Sequence, residues 1–289
     1  MNFSSLKCRS WPVLFAGMLI TAVVSLSIHA VMLQVLNIPF PSVTIDAPIS
    51  NFLTKNLLSV LALIYLCQLA TPALQKSSWL ARSAIFFVIW MGLSEELFRA
   101  AFMAGYCTNA YTYAFVSHLP TILSPLVMTL IVVRVAGLLD NFWKRAGAAV
   151  IISVFAKFVL VPVIAYAFKA PMEAIASLAP QGEWCELPYG PNVLIPAYLT
   201  YIEPTLACFA AAMLVWEQLP GRTLAKLCQF AVLVLLLKRL LFAPFVYMMY
   251  AHLPPLTALA SMGQFALETL FLALGAGLTW SVSRQRQAV

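Results

Sequence analysis

Apolar stretches of about twenty residues, the length a bilayer requires of a helix, fill most of this chain, and nine charged residues lie inside them. The nine are Glu95, Glu96, Arg99, Arg134, Lys157, Glu203, Lys238, Arg239 and Glu268. A charge at membrane depth costs roughly 2.5–3.5 kcal/mol on insertion scales unless it is paired or wetted. Four of the nine are acidic and five basic, so they can nearly neutralise one another. A membrane-embedded bundle with a buried polar centre follows. Composition agrees: 63% of the residues are hydrophobic and 9% charged, against about 45–50% and about 25% in a soluble domain.

Hydropathy gives eight candidate spans, at 12–36, 57–75, 83–105, 120–139, 146–168, 193–216, 227–250 and 256–281. The expected fold is an all-α polytopic bundle of about eight transmembrane helices, with residues 1–289 as one membrane domain. The first span follows Lys7 and Arg9, as a signal peptide would, but its apolar run is longer than a signal sequence needs and lacks a small-residue cleavage site. It reads as a retained anchor. With the N-terminus in the cytoplasm, that side receives Lys7, Arg9, Lys76, Arg82, Lys144, Arg145, Arg222, Lys226, Arg284 and Arg286, and the outer side only Lys55 and Lys169. This bias sets the orientation, with both termini cytoplasmic. Short loops and cysteine usage point to a bacterial cytoplasmic membrane.

The net charge of +7 is scattered over short loops, so it marks no nucleic-acid surface. No glycine-rich phosphate loop, CxxC pair or HExxH is present, and no histidine pair has metal-ligand spacing. No cofactor or metal is expected. The expected partners are the bilayer and a membrane-embedded peptide or small polar substrate. His29 and His252 stand alone near span ends and read as interfacial. Of the six cysteines, Cys8 falls on the cytoplasmic side and Cys67, Cys208 and Cys228 in spans. Cys107 and Cys185 both fall on the outer side, where a disulfide would pin loop 169–192 to the segment after span three.

Segment 106–119 is polar and aromatic, which suits an interfacial or re-entrant position. Spans five and seven share a pattern: Lys157, Pro162 and Tyr166 in one, Arg239, Pro244 and Tyr247 in the other. Each is followed by a span with one acid, Glu203 or Glu268, so a parallel repeat is one reading and chance placement of common membrane residues the other. In this register Lys157 would pair with Glu203, and Arg239 or Lys238 with Glu268. Such pairs would frame a substrate site or simply hold helices together.

The sharpest local signal is GLSEELFRAAFMAG in span three. Glu95 and Arg99 are four apart, Glu96 and Arg99 three apart, and both spacings set an arginine beside an acid on a helix. Adjacent glutamates point about 100° apart, so one can pair with Arg99 while the other faces a cavity. Desolvation and a nearby cation then tune that carboxylate as a general base.

SEELFRAAFMAG resembles the first motif of the CPBP family, the CAAX-protease and bacteriocin-processing intramembrane enzymes: a glutamate pair, three residues, then arginine. AFVSHLP resembles the second motif, phenylalanine, three residues, then histidine, with His118 as the histidine. KRAGAAVIISVFAKF is similar to the lead-in to the third, and the likeness covers roughly residues 83–168. It implies a bundle of about eight helices and glutamate-activated water. The spacing departs from the family: two residues separate Glu96 from Arg99, Phe115 is three before His118, and Ala156 or Lys157 stands where a third-motif histidine belongs.

Three functions follow as expectations. The first is an intramembrane hydrolase, with Glu95 and Glu96 activating water, Arg99 orienting them and His118 stabilising an oxyanion or moving a proton. The second is a carrier with a charged midplane site among Lys157, Glu203, Lys238, Arg239 and Glu268. The third is a non-catalytic interaction, immunity or assembly protein.

Overall fold

The computed structural model describes the backbone of residues 10–41 and 49–285, and every regular element there is helical. Lys7, Cys8, Arg9 and Arg286 lie outside the described residues, as do the side chains of Lys55 and Arg284. The helices are α1 (Trp11–Gln34), α2 (Ile49–Leu74), α3 (Trp79–Leu93), α4 (Arg99–Thr108), α5 (Tyr111–Val135) and α6 (Phe142–Phe155). They continue as α7 (Val161–Ala174), α8 (Pro191–Thr200), α9 (Ile202–Val215), α10 (Thr223–Leu237), α11 (Ala243–Tyr250) and α12 (Pro255–Gln285). A π-helical turn, Ala156–Leu160, joins α6 to α7.

Among the described residues, six helical rods are long and apolar enough to cross a membrane: Trp11–Gln34, Asn56–Leu74, Tyr111–Leu138, Phe142–Ala174, Pro191–Gln218 and Pro255–Ser283. The exposed side chains of these rods include Leu19, Ile151, Phe158, Val163 and Leu278. An apolar outer surface of that extent suits lipid and not water. The apolar helices α3 and α10 stop after 15 residues in each case. Where hydropathy gives single spans at 83–105 and 227–250, the chain makes two broken rods, α3–α4 and α10–α11.

Local sequence explains the starts. Ser78 accepts from the Ala81 N–H at the head of α3, Asn141 accepts from Lys144 at the head of α6, and Pro191 opens α8 where a missing N–H is harmless. Gln68 of α2 donates to the carbonyls of Ala136 and Leu139, which finishes the far end of α5. The segment expected to be interfacial or re-entrant, 106–119, forms the end of α4 and the first turns of α5, where the chain turns back on itself. Two of its aromatics pack on Phe102 of α4, Tyr106 stacked and Tyr111 tilted, and this lets α5 fold straight back along α4. Arg134, counted among the intramembrane charges, is exposed in the last turn of α5.

The breaks reveal a repeat. Leu93 and Leu237 end their helices, Ser94 and Lys238 cap them, and Glu95 and Arg239 follow with φ of 65° and 63°. Both ends are Schellman motifs: Glu95 N–H bonds Gly92 and Glu96 N–H bonds Met91, as Arg239 bonds Leu236 and Leu240 bonds Leu235. The next helix starts four residues later in each half, at Arg99 and Ala243, and the one after at Tyr111 and Pro255. Every one of these positions in the second half lies 144 after its counterpart, as 223 lies after 79. At that offset Leu80, Ala81, Phe86, Leu97, Phe98, Tyr106 and Ser117 meet identical residues.

Packing follows the same exchange. α3 rests on α5 and α9, while α10 rests on α12 and α2; α4 packs on α5 and α11 on α12. The shared unit, from α3 to the start of α5 and from α10 to the start of α12, therefore runs in the same direction along the chain in both halves. The pattern shared by Lys157 and Arg239 is not this repeat, because Lys157 lies in the α6–α7 rod and Arg239 in a helix break. At the core, Trp90, Phe86, Phe230 and Tyr201 are fully buried where the halves meet. α1 lies along α12. A Cβ on Gly275 would stand 2.6 Å from the Thr21 hydroxyl, so only glycine permits that approach.

Cys107, at the end of α4, and Cys185 form a disulfide. The loop before α8 is also tied by Trp184, whose backbone N–H and indole N–H donate to the carbonyls of Cys107 and Tyr106. Cys67 and Cys208 are buried, and Cys228 is exposed. In a variant lacking Cys8, a bulky maleimide should therefore label one cysteine in native protein and reach Cys107 and Cys185, themselves buried, only after reduction in denaturant. Labelling of either before reduction would contradict the bond.

Candidate functional site

The break after α3 is where the intramembrane charges converge. A glutamate in the left-handed region costs about 1 kcal/mol or more and persists only when its surroundings hold it there. Here they do so through the side chain. The Glu95 carboxylate accepts from Lys238 Nζ at 2.6 Å through one oxygen and from Arg99 Nε at 2.7 Å through the other. Arg99 also donates to the Thr200 hydroxyl at 2.7 Å and to the Ala197 carbonyl, and its guanidinium lies over the Tyr201 ring. The Glu95–Arg99 contact is the one the four-residue spacing predicts, but it spans a helix break and not a helical turn.

Glu203 serves the same break from the second half. Its two carboxylate oxygens accept the backbone N–H groups of Leu97, Phe98 and Arg99 at 2.9, 2.9 and 2.7 Å. These N–H groups have no partner within α4, so the carboxylate satisfies the helix start and sits at its positive end. Gly92 makes the approach feasible, since a Cβ there would stand 2.9 Å from that of Ala207 on α9. The expected pairing of Glu203 with Lys157 is thus replaced by a cap, and Lys157 sits in the π turn packed against α5.

Glu96 points elsewhere. His118 Nε2 lies 2.7 Å from its backbone carbonyl and 3.1 Å from its carboxylate. The carbonyl can only accept, so Nε2 carries the proton and donates to both oxygens. Glu96 is the more open partner, with a side chain 32% exposed against 13% for His118. Segment 106–119, expected to be interfacial or re-entrant, carries His118. The short α4 and the reversal at Asn109, which takes the left-handed φ of 56°, bring it back to the break.

A cavity of about 920 Å³ lies against these groups. Its charged lining comprises Glu95, Glu96, Arg99, Lys238, Arg239 and Glu268, with Glu183 and Cys185 at the disulfide end. Glu203 and Lys157 are not among the lining residues. The expected ion pair between Glu268 and Lys238 or Arg239 does not form. Lys238 is taken by Glu95, and Glu268 makes no ion pair among the described residues. Sequence reasoning missed His29, which it placed at the interface: it lines the cavity, wedged against Phe265 and Phe40 at 4.8 and 5.9 Å. No motif marks it, because its nearer ring neighbour, Phe265, comes from the far end of the chain. Comparison of the chain with protein-family models, with curated proteins and with solved structures finds no match.

Proposed function

We propose that this membrane protein is an intramembrane hydrolase in which Glu96 activates water and His118 positions Glu96. One observation carries the proposal: the histidine of SHLP donates to the second glutamate of SEELFR, which lines a cavity with several charged residues in its wall. A carboxylate held from behind by a donor, with a free edge toward a cavity, can accept a proton from water as it attacks a carbonyl and return it to the leaving amine. Glu95 has a different role from the one its motif implies. Both of its oxygens are engaged by cations, so it fixes Arg99 and Lys238.

The substrate in this scheme is a peptide segment reaching the cavity within the bilayer. Eight crossings with both termini cytoplasmic accord with the basic loops, since Lys76, Lys144 and Arg222 follow helices that run away from the disulfide. The cytoplasmic membrane of a bacterium is the location we favour.

The test uses full-length protein in nanodiscs with a pool of membrane peptides, and mass spectrometry of the products. Wild type should cleave, and Glu96→Gln should cleave at least about 100-fold more slowly at equal membrane abundance. His118→Ala should slow it as well. Absence of cleavage by wild type, or cleavage undiminished by Glu96→Gln, would sink the proposal.

A carrier is the second reading, favoured by the breaks themselves. Discontinuous helices at matching positions of two halves commonly mark a transport site. That site would use Lys238, Arg239 and Glu268. Solute flux into proteoliposomes that depends on Arg239 and Glu268 but survives Glu96→Gln would decide for it.

A further inference from the structure

Three cations line the cavity, and two of them, Arg99 and Lys238, are bound to Glu95. Arg239 is different. It makes no hydrogen bond or ion pair among the described residues, and its only contact of that kind is with the Trp90 ring, 5.9 Å from centroid to guanidinium carbon. Trp90 is itself fixed, fully buried with its indole N–H on the Leu237 carbonyl. A guanidinium held over a ring at that distance keeps its N–H groups free, in the fork that matches a carboxylate or phosphate. The backbone also favours a purpose here. The fold places arginine at φ 63°, where glycine would be unstrained, and so aims a long cation at the cavity. At this depth an unpaired cation is costly, and a bound anion removes that cost.

We propose that Arg239 is the receptor for an anionic group, a carboxylate or phosphate, carried by the ligand of this cavity. The charged group that acts on Arg239 from across the break is Glu96, which stays at more than ion-pair distance because His118 holds it. The anion therefore docks next to the proposed base and against its charge. The site does not depend on whether a bond is cut, so it can stand if the hydrolase fails.

Binding is measured without turnover, by native mass spectrometry of full-length protein in phosphatidylcholine nanodiscs, with dodecanoate and dodecyl phosphate as probes and dodecyl maltoside as the neutral control. Wild type should bind an anionic probe in preference to the control. Arg239→Gly should bind it at least about tenfold more weakly and melt no lower than wild type, because glycine relieves the backbone and the unpaired charge is gone. If the glycine variant fails to accumulate, Arg239→Asn, which tolerates the left-handed region, takes its place. Glu96→Gln should bind the anion more tightly, since a repelling charge is lost. Displacement of the probe by phosphatidylglycerol would assign the anion to a lipid headgroup, and failure to displace it would assign it to a single-chain or soluble ligand; both uphold the receptor. No preference over the neutral control, or equal binding by wild type and the Arg239 variants, overturns it.

Discussion

Glu95→Gln should destabilise the protein by about 3–5 kcal/mol, the usual cost of removing one partner from a buried ion cluster. The substitution leaves Lys238 and Arg99 facing each other with no negative charge between them. Their side chains are 7% and 13% exposed, so water can do little to screen the repulsion. Glu96→Gln removes a carboxylate that touches only His118 and should cost less than about 1 kcal/mol. Thermal unfolding of the purified variants, with membrane abundance alongside, reads both. Adding Lys238→Met to Glu95→Gln should recover more than half of the loss, because one surplus cation goes with the acid. Equal stability of the Glu95 and Glu96 variants would show that the cluster does not hold the break, and the division of labour between adjacent glutamates would fall with it.

Much of the fold is legible in the sequence because bilayer length is a crude and dominant constraint. The six long rods are found by hydropathy alone, with limits off by a few residues except at the start of α5, which begins nine residues earlier than the apolar run. The two breaks are not, and the reason lies in residues 94–98 and 238–242. Helix ends of this type normally announce themselves with glycine at the left-handed position. Here glutamate and arginine occupy it, and apolar Leu97, Phe98, Leu241 and Phe242 run on through the turn. Hydropathy reads straight across. The half-chain repeat hides for a related reason: what the halves share is backbone geometry, while the charged residues at matching positions, Glu95 and Arg239, are opposite in sign.

At the site, the local contact was legible and the distant ones were not. Glu95 with Arg99 follows from spacing on one segment. Glu95 with Lys238 joins residues 143 apart, and no periodicity connects them. Pairing acids with bases on neighbouring spans gave Lys157 with Glu203 and Arg239 or Lys238 with Glu268, because it assumed that each buried carboxylate needs a cation. Glu203 shows the flaw. Backbone N–H groups at a helix start satisfy a carboxylate as well as a lysine does, and they carry no sequence signature.

That cap makes the last expectation sharp. Glu203→Ala leaves three N–H groups without acceptors at the head of α4 and should cost about 3 kcal/mol, given about 1.5–3 for a single charged hydrogen bond and some replacement by water. Glu203→Gln keeps one acceptor oxygen and should lose roughly half as much. Amide exchange at Leu97, Phe98 and Arg99 should speed up in the alanine variant, ahead of exchange in the body of α4. The effect should also reach the cavity, because Arg99 is the first residue of α4 and donates to Glu95. A charge swap separates cap from ion pair. Were Glu203 paired with Lys157, Lys157→Glu should rescue Glu203→Lys; a cap forbids the rescue, since an ammonium cannot accept from an N–H. Rescue by the swap, or unchanged exchange at the three amides, would remove Glu203 from the helix start and return it to the ion pairs.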